Sequence, residues 1–212
     1  MAIREILTFP NPLLLQVAEP VERVTSDIQK LMDDMLETMY SAGGFGLAAV
    51  QIGVHLRIVV MDLAREGETS QPRYFVNPQL SDFSEDTRVF QEGCLSVPNL
   101  SQKSVERPEM CRVDFLDYNG EVRQLECDGL LATCIQHEVD HLDGILYFQR
   151  LSRLKRHRIE KSLRKDHERA AHTQHEADPL GSAVYLHEFS KSWQSRVEQK
   201  SQRTHARPVR NI

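Results

Sequence analysis

The sequence fits an α+β fold, and three stretches carry that reading. "CRVDFLDYNGEVRQLEC", residues 111–127, has the alternation and the Asn-Gly pair of a hairpin. "TSDIQKLMDDMLETMYSAGG" carries apolar residues at helical spacing. A later segment, from about Leu130 to Leu142, is apolar nearly all round. A helix of that kind is usually buried on most sides, so the strands are expected to wrap around it.

The elements follow in order. Ser26 is placed to cap the first helix, with Gln29 completing a capping box. Ile28, Leu31, Met32, Met35, Leu36 and Met39 form one apolar stripe, and Gly43 and Gly44 stop it. "GFGLAAVQIG", Gly44 to Gly53, is too irregular in pattern for a helix. "LRIVVMDLA", Leu56 to Ala64, is rich in β-branched residues and predicts a strand; "RYFVNPQL" predicts another. In the hairpin, Asn119-Gly120 supplies two positive-φ positions. Asp128 is placed to cap the buried helix, and Gly144 stands just past its end.

From Leu151 the character changes. Residues 1–150 are expected to form the catalytic domain, residues 151–172 a basic helix with a thin stripe of Leu151, Leu154 and Leu163, and residues 173–212 a polar tail, partly disordered. Pro179 and Gly181 break the tail, and "SAVYLHEFSKSW" has enough apolar content to dock on the body.

Composition narrows the class. The 212 residues are 40% hydrophobic and 27% charged, enough apolar material for a real core. There is no 18-residue apolar run, so no membrane span or membrane partner is expected. The N-terminal stretch lacks the features of a secretion signal. Cys94, Cys111, Cys127 and Cys134 show no CxxC spacing. A reducing, cytoplasmic location and a monomer are the expectation. The net charge of -5 hides an asymmetry. Residues 151–212 carry 14 Lys and Arg against 7 Asp and Glu, whereas residues 1–150 carry 12 against 24. A basic segment on an acidic body suits a polyanionic partner, or is simply solvated.

The chemistry centres on "CIQHEVDHLDG", residues 134–144. His137 and His141 lie one helical turn apart on one face, so both imidazoles can reach one metal ion. In a hydrolase, Glu138 takes a proton from the attacking water. Short H-E-x-x-H matches also arise by chance, and two buried histidines bonded to backbone would give the same letters. A catalytic zinc usually takes three protein ligands. The extended protease motif would put a histidine where Tyr147 stands, and a glutamate ligand further on would be Glu160 or Glu168. Upstream, Cys94 in "FQEGCLSVP" offers a thiolate, a good ligand for zinc or ferrous iron. Spacing alone leaves it equally readable as a small buried hydrophobe.

Three motifs carry a resemblance. "GFGLAAVQ" (Gly44 to Gln51), "EGCLS" (Glu92 to Ser96) and "QHEVDH" (Gln136 to His141) resemble the signature motifs of the peptide deformylases, in the family's order and with similar spacing. The resemblance covers roughly residues 1–165, including the "DGLLA" lead-in. It implies antiparallel sheets around a central buried metal-binding helix, with a basic C-terminal helix and tail. It implies Cys94, His137 and His141 as ligands of one divalent metal per chain, Fe(II) foremost, with nickel, cobalt or zinc able to substitute. The implied reaction removes the N-formyl group from the initiator methionine of new polypeptides. Metal-bound water attacks the formyl carbon, Glu138 is the general base and acid, and Gln51 and the Leu95 backbone N–H donate to the oxyanion. Gly44, Phe45, Gly46, Phe90, Leu130, Thr133 and Cys134 match the substrate-binding positions, the glycines letting backbone approach the peptide. Glu92 and Arg107 match a buried ion pair. The basic helix matches one that docks bacterial members on the ribosome.

This chain departs from the family pattern at three places. Ser101 stands where many bacterial members carry an arginine or aromatic residue, which bears on peptide preference. Thr133 is more polar than the aliphatic residue expected in the pocket. Gln149 replaces an aspartate. Rival readings are a metalloprotease or other amidase, a cysteine hydrolase using Cys94, and a ribosome- or RNA-binding protein on a deformylase scaffold with weak activity.

Overall fold

The computed structural model describes residues 2–64, 67–98, 100 and 103–177, the side chains of residues 170–177 excepted. Ser101 and the whole tail from residue 178 lie outside the described residues. Contacts divide the chain into two units, Met1–Arg164 and Lys165–Ile212. Helix α3 is long, Arg153–Ala177, where the sequence suggests a helix over 151–172.

Five antiparallel strands form the main sheet in the order β1-β2-β3-β6-β7. They are β1 (Gly46–Ala48), β2 (Ile58–Met61), β3 (Arg73–Ser81), β6 (Met110–Leu116) and β7 (Val122–Asp128). Strands β4 (Thr87–Glu92) and β5 (Lys103–Pro108) make a separate antiparallel ribbon. All four residues of β2 are buried, and alternate ones point to opposite faces of the sheet. Val59 and Met61 face one core cluster, Ile58 and Val60 the other.

Helix α1 (Ser26–Ser41) lays Met32, Met35 and Met39 on the Ile58 and Val60 face. Helix α2 (Gly129–Leu142) packs Ile135, Val139 and Leu142 on the opposite face, against Phe75, Val113 and Cys127. Ten of the 14 residues of α2 are buried, as its nearly all-round apolar sequence requires. A third cluster, Phe9, Val97, Val105, Leu146, Phe148 and Leu163, joins the ribbon to the chain that follows α2.

Three local expectations are corrected. Thr25, not Ser26, precedes α1 as its cap, its hydroxyl accepting from the Ile28 N–H at 3.4 Å. Gln29 makes no capping box and instead donates to the Tyr118 carbonyl at 3.0 Å, tying α1 to the hairpin. In the β6–β7 turn only Gly120 has positive φ. The Asp117 carboxylate accepts from the N–H groups of Asn119 and Glu121, so an Asx turn replaces the two-residue form. Asp128 occupies the N-cap of α2 without a side-chain capping bond.

Asp34 on α1 is fully buried beneath the N-terminal strap. The Arg4 guanidinium and the Ala2 N–H, at 2.8 and 2.7 Å, hold its carboxyl down at about 2. An unfolded aspartate titrates at about 3.9. The group is more acidic folded than unfolded, so its contribution is complete above about pH 4 and lost as pH falls through 2. Urea unfolding should show a steeper loss between those pH values for the wild type than for Asp34→Asn. Parallel curves would refute this role.

Candidate active site

Helix α2 presents His137 and His141 on one face, their ring centroids 5.1 Å apart. Just past the end of β4, Cys94 swings its thiol to within 3.2 Å of His141 Nε2. His137 turns Nδ1 to Glu92 Oε2 at 2.8 Å, which leaves Nε2 for the thiol side. One ligand atom from each of the three residues lies within 4.8 Å of the others. Donors bound at about 2.0–2.3 Å to one tetrahedral ion stand roughly 3.3–3.8 Å apart. A thiol and two imidazoles, gathered in a buried place with one imidazole nitrogen already oriented, therefore fit a divalent transition metal. Burial works against a charge on His137, yet Cys94 and Glu92 draw its pKa well above the ordinary value, whereas burial, with His137 and Arg107 nearby, pushes that of His141 well below. Glu160, a candidate downstream ligand, instead faces Arg156 on α3 at 3.6 Å.

Behind His137 runs a buried ionic network. Arg107 on β5 donates Nε and an Nη to the two oxygens of Glu92, at 2.6 and 3.0 Å. Its other Nη donates to Asp140 at 2.8 Å. Arg150 closes the chain by gripping both Asp140 oxygens. Tyr147, standing where a longer motif would have a histidine, stacks its ring on His137 at 5.8 Å. Gln149, the residue in place of an aspartate, caps its own turn by accepting from the Leu146 N–H.

The catalytic candidates converge from three elements. Glu138 is 4% exposed, and burial raises its carboxyl to about 7. Its Oε2 is buried and has no hydrogen-bond partner among the described residues. Gln51 follows β1; its amide oxygen accepts from the Ala48 N–H at 2.8 Å, which turns the NH2 toward Ser96 Oγ (3.1 Å) and Cys94 Sγ (3.8 Å). The glycines of this stretch are also tightly packed. A Cβ on Gly46 would stand 2.5 Å from Glu138 Oε1, and one on Gly44 2.8 Å from Leu95 Cδ1. Their bareness makes room for the side chains of the site itself.

A cleft of about 410 Å³ opens onto these groups. Glu138, Gln51, Leu95, Cys94 and His137 line it, as do Gly44, Phe45 and Gly46. Phe90, Leu130, Thr133 and Cys134 complete the wall, with Phe45 and Leu130 exposed at 54% and 41%. His141 lies deeper, 1% exposed. The Thr133 hydroxyl donates to the Gly129 carbonyl at 3.0 Å, so its polarity is spent within the helix. Sequence reasoning missed Asp140, Arg150 and Ser96. A buried aspartate on so apolar a helix calls for a cationic partner, which could have flagged Asp140; Ser96 carries no such signal.

An H-E-x-x-H helix with a cysteine thiol beside its histidines, at the wall of a cleft in an α+β fold, defines a metal-dependent hydrolase. A model of the polypeptide deformylase family matches residues 3–157. The peptide deformylase of Phenylobacterium zucineum is 56% identical over 171 residues, 81% of this chain and 100% of that protein. That of Hyphomonas neptunium is 57% identical over 171 residues, 80% of this chain and 97% of its own. The crystal structure of peptide deformylase from Ehrlichia chaffeensis superposes with a TM-score of 0.73 at 38% identity, covering 80% of this chain and 99% of that one. The same Ehrlichia protein in complex with actinonin gives 0.72 at 41% identity, over 78% and 98%. The chain belongs to the polypeptide deformylase family.

Proposed function

We propose that this protein hydrolyses the N-formyl group from the initiator methionine of newly made polypeptides and releases formate. The observation that carries the reading is the convergence of Cys94, His137 and His141 beside Glu138 in one cleft of a deformylase-family chain. A divalent ion held by those three side chains would lower the pKa of a water toward neutrality. The donor set suits iron, nickel, cobalt or zinc, and likeness to the family favours Fe(II).

The chain's own groups do the rest. Glu138 takes the proton from the attacking water on Oε2 and passes it to the leaving amine. A carboxyl poised near 7 can both accept and release that proton. The formyl oxygen gains negative charge as the carbon turns tetrahedral. Gln51 Nε2, aimed by the Ala48 N–H, and the Leu95 N–H donate to it. Phe45, Phe90, Leu130, Thr133 and Cys134 receive the methionine side chain. The peptide behind it pairs as an added strand along β1, which is an edge of the main sheet. A formyl carbon bears only hydrogen, so a tight site rejects acetyl by size.

Formate release from a formyl-Met peptide, by protein purified without oxygen, tests the reading. Release that stops on chelation supports it. No release from protein holding one metal per chain refutes it. A thiolate-bound ferrous ion would be oxygen-sensitive, since both can oxidise. We assign the protein to the cytoplasm, because its substrate is made there.

The basic segment 151–172 serves, on this reading, to dock on the ribosome, whose RNA attracts cations in a salt-dependent way. Arg153, Lys155, Arg156 and Arg158 are all exposed on α3. Deleting residues 151–212 should abolish co-sedimentation with ribosomes at moderate salt, and unchanged binding would end the idea.

A further inference from the structure

We infer that Arg150 is a positioning residue for His137, acting from the protein surface through Asp140, Arg107 and Glu92. The inference rests on the proposed metal centre. Arg150 is the exposed end of the network, its side chain 48% accessible. Asp140, Arg107 and Glu92 behind it are 5%, 4% and 6% exposed.

Every link in this chain is shared. Glu92 Oε2 takes His137 Nδ1 at 2.8 Å and an Arg107 Nη at 3.0 Å. Asp140 Oδ2 takes the other Arg107 Nη at 2.8 Å and Arg150 Nε at 3.1 Å. Asp140 Oδ1 is held by Arg150 through its second nitrogen. Two carboxylates thus face two guanidiniums, and the Nδ1 edge of His137 is directed at Glu92.

Removing the Arg150 guanidinium would leave Asp140 Oδ1 without that donor in a buried place. Asp140 would then depend on Arg107 alone, so Arg107 would turn further to serve both of its oxygens. The guanidinium has one rigid plane. Turning it loosens the two-point grip on Glu92, and Glu92 is what fixes the tautomer and bearing of the His137 ring. The same four-residue turn, Tyr147–Arg150, also lays the Tyr147 ring on His137. One short segment after α2 therefore braces the imidazole from its face and through its Nδ1.

The test uses the full chain with Arg150→Met and Arg150→Lys, each prepared free of metal and then loaded with zinc or cobalt. Zinc affinity is read by competition with a chromophoric chelator, and ligand geometry by the visible bands of the cobalt form. Arg150→Met should bind zinc about tenfold more weakly, the low end for outer ligand partners, with shifted cobalt bands. Arg150→Lys should recover part of both, because an ammonium can still satisfy one Asp140 oxygen. Wild-type affinity and bands in Arg150→Met, whatever happens to the melting point of the metal-free protein, would reduce Arg150 to a structural ion pair and overturn the inference. Tighter zinc binding by Arg150→Met, with Arg150→Lys unchanged, would also overturn it, since charge alone would then explain the effect. A wild type that binds no zinc or cobalt would strike the metal centre itself and this inference with it.

Discussion

Glu138→Gln should lower the rate of formate release by roughly 10²–10⁴-fold, the range lost with a positioned acid–base group. Metal content should stay at one ion per chain. The amide has the size of the carboxylate and fits the same niche against Gly46, where a Cβ would come within 2.5 Å of Oε1. It cannot take up a proton from water. The loss belongs in kcat, because Glu138 meets the proton that moves and not the methionine side chain. Glu138→Ala run alongside removes the group altogether and should be no more active. A glutamine variant within a few-fold of wild type, with metal bound, would mean that the proton goes elsewhere.

Arg107→Met should destabilise the fold by about 3–5 kcal/mol, the cost of breaking a buried pair from one side. Both carboxylates it serves, Glu92 and Asp140, lie at 6% and 5% exposure. The Arg107 guanidinium has lost most of its water, yet Glu92 and then Asp140 still hold its pKa up. Without it Glu92 keeps only His137 as partner. Urea unfolding of metal-free protein measures the loss. Adding Glu92→Gln to Arg107→Met should regain part of it, because the orphaned charge disappears. A loss below about 1 kcal/mol would show that water or rearrangement repairs the site.

The two helices were legible because their apolar periodicity is strong, and the H-E-x-x-H pair followed from α2 alone. Strands β2, β3, β6 and β7 were legible from β-branched and alternating residues. The ribbon β4–β5 was not. Its sequences, "TRVFQE" and "KSVERP", carry charges that point inward to the network, so alternation fails where Glu92 and Arg107 are buried. That ribbon delivers Cys94. The residues alone left the third ligand open, and only likeness to a family singled it out. The structure supplies a physical reason for the grouping: Glu92 orients His137 two residues before the chain brings Cys94 to His141. The contact of Gly46 with Glu138 was also hidden, since a bare Cα does not tell which side chain lies against it.

The site draws on pieces far apart in the chain, and this sets an order of events during synthesis. Cys94 and His141 are 47 positions apart, and Arg107 must join them to Asp140, 33 positions away. Closing such loops costs entropy that only finished packing returns. A growing chain that has exposed the ribbon but not α2 holds one thiol and a Glu92–Arg107 pair that still lacks His137 and Asp140. Adding α2 supplies the imidazoles and Asp140, and the next turn supplies Arg150. The cluster therefore cannot assemble before α2 has been translated, however early the ribbon folds.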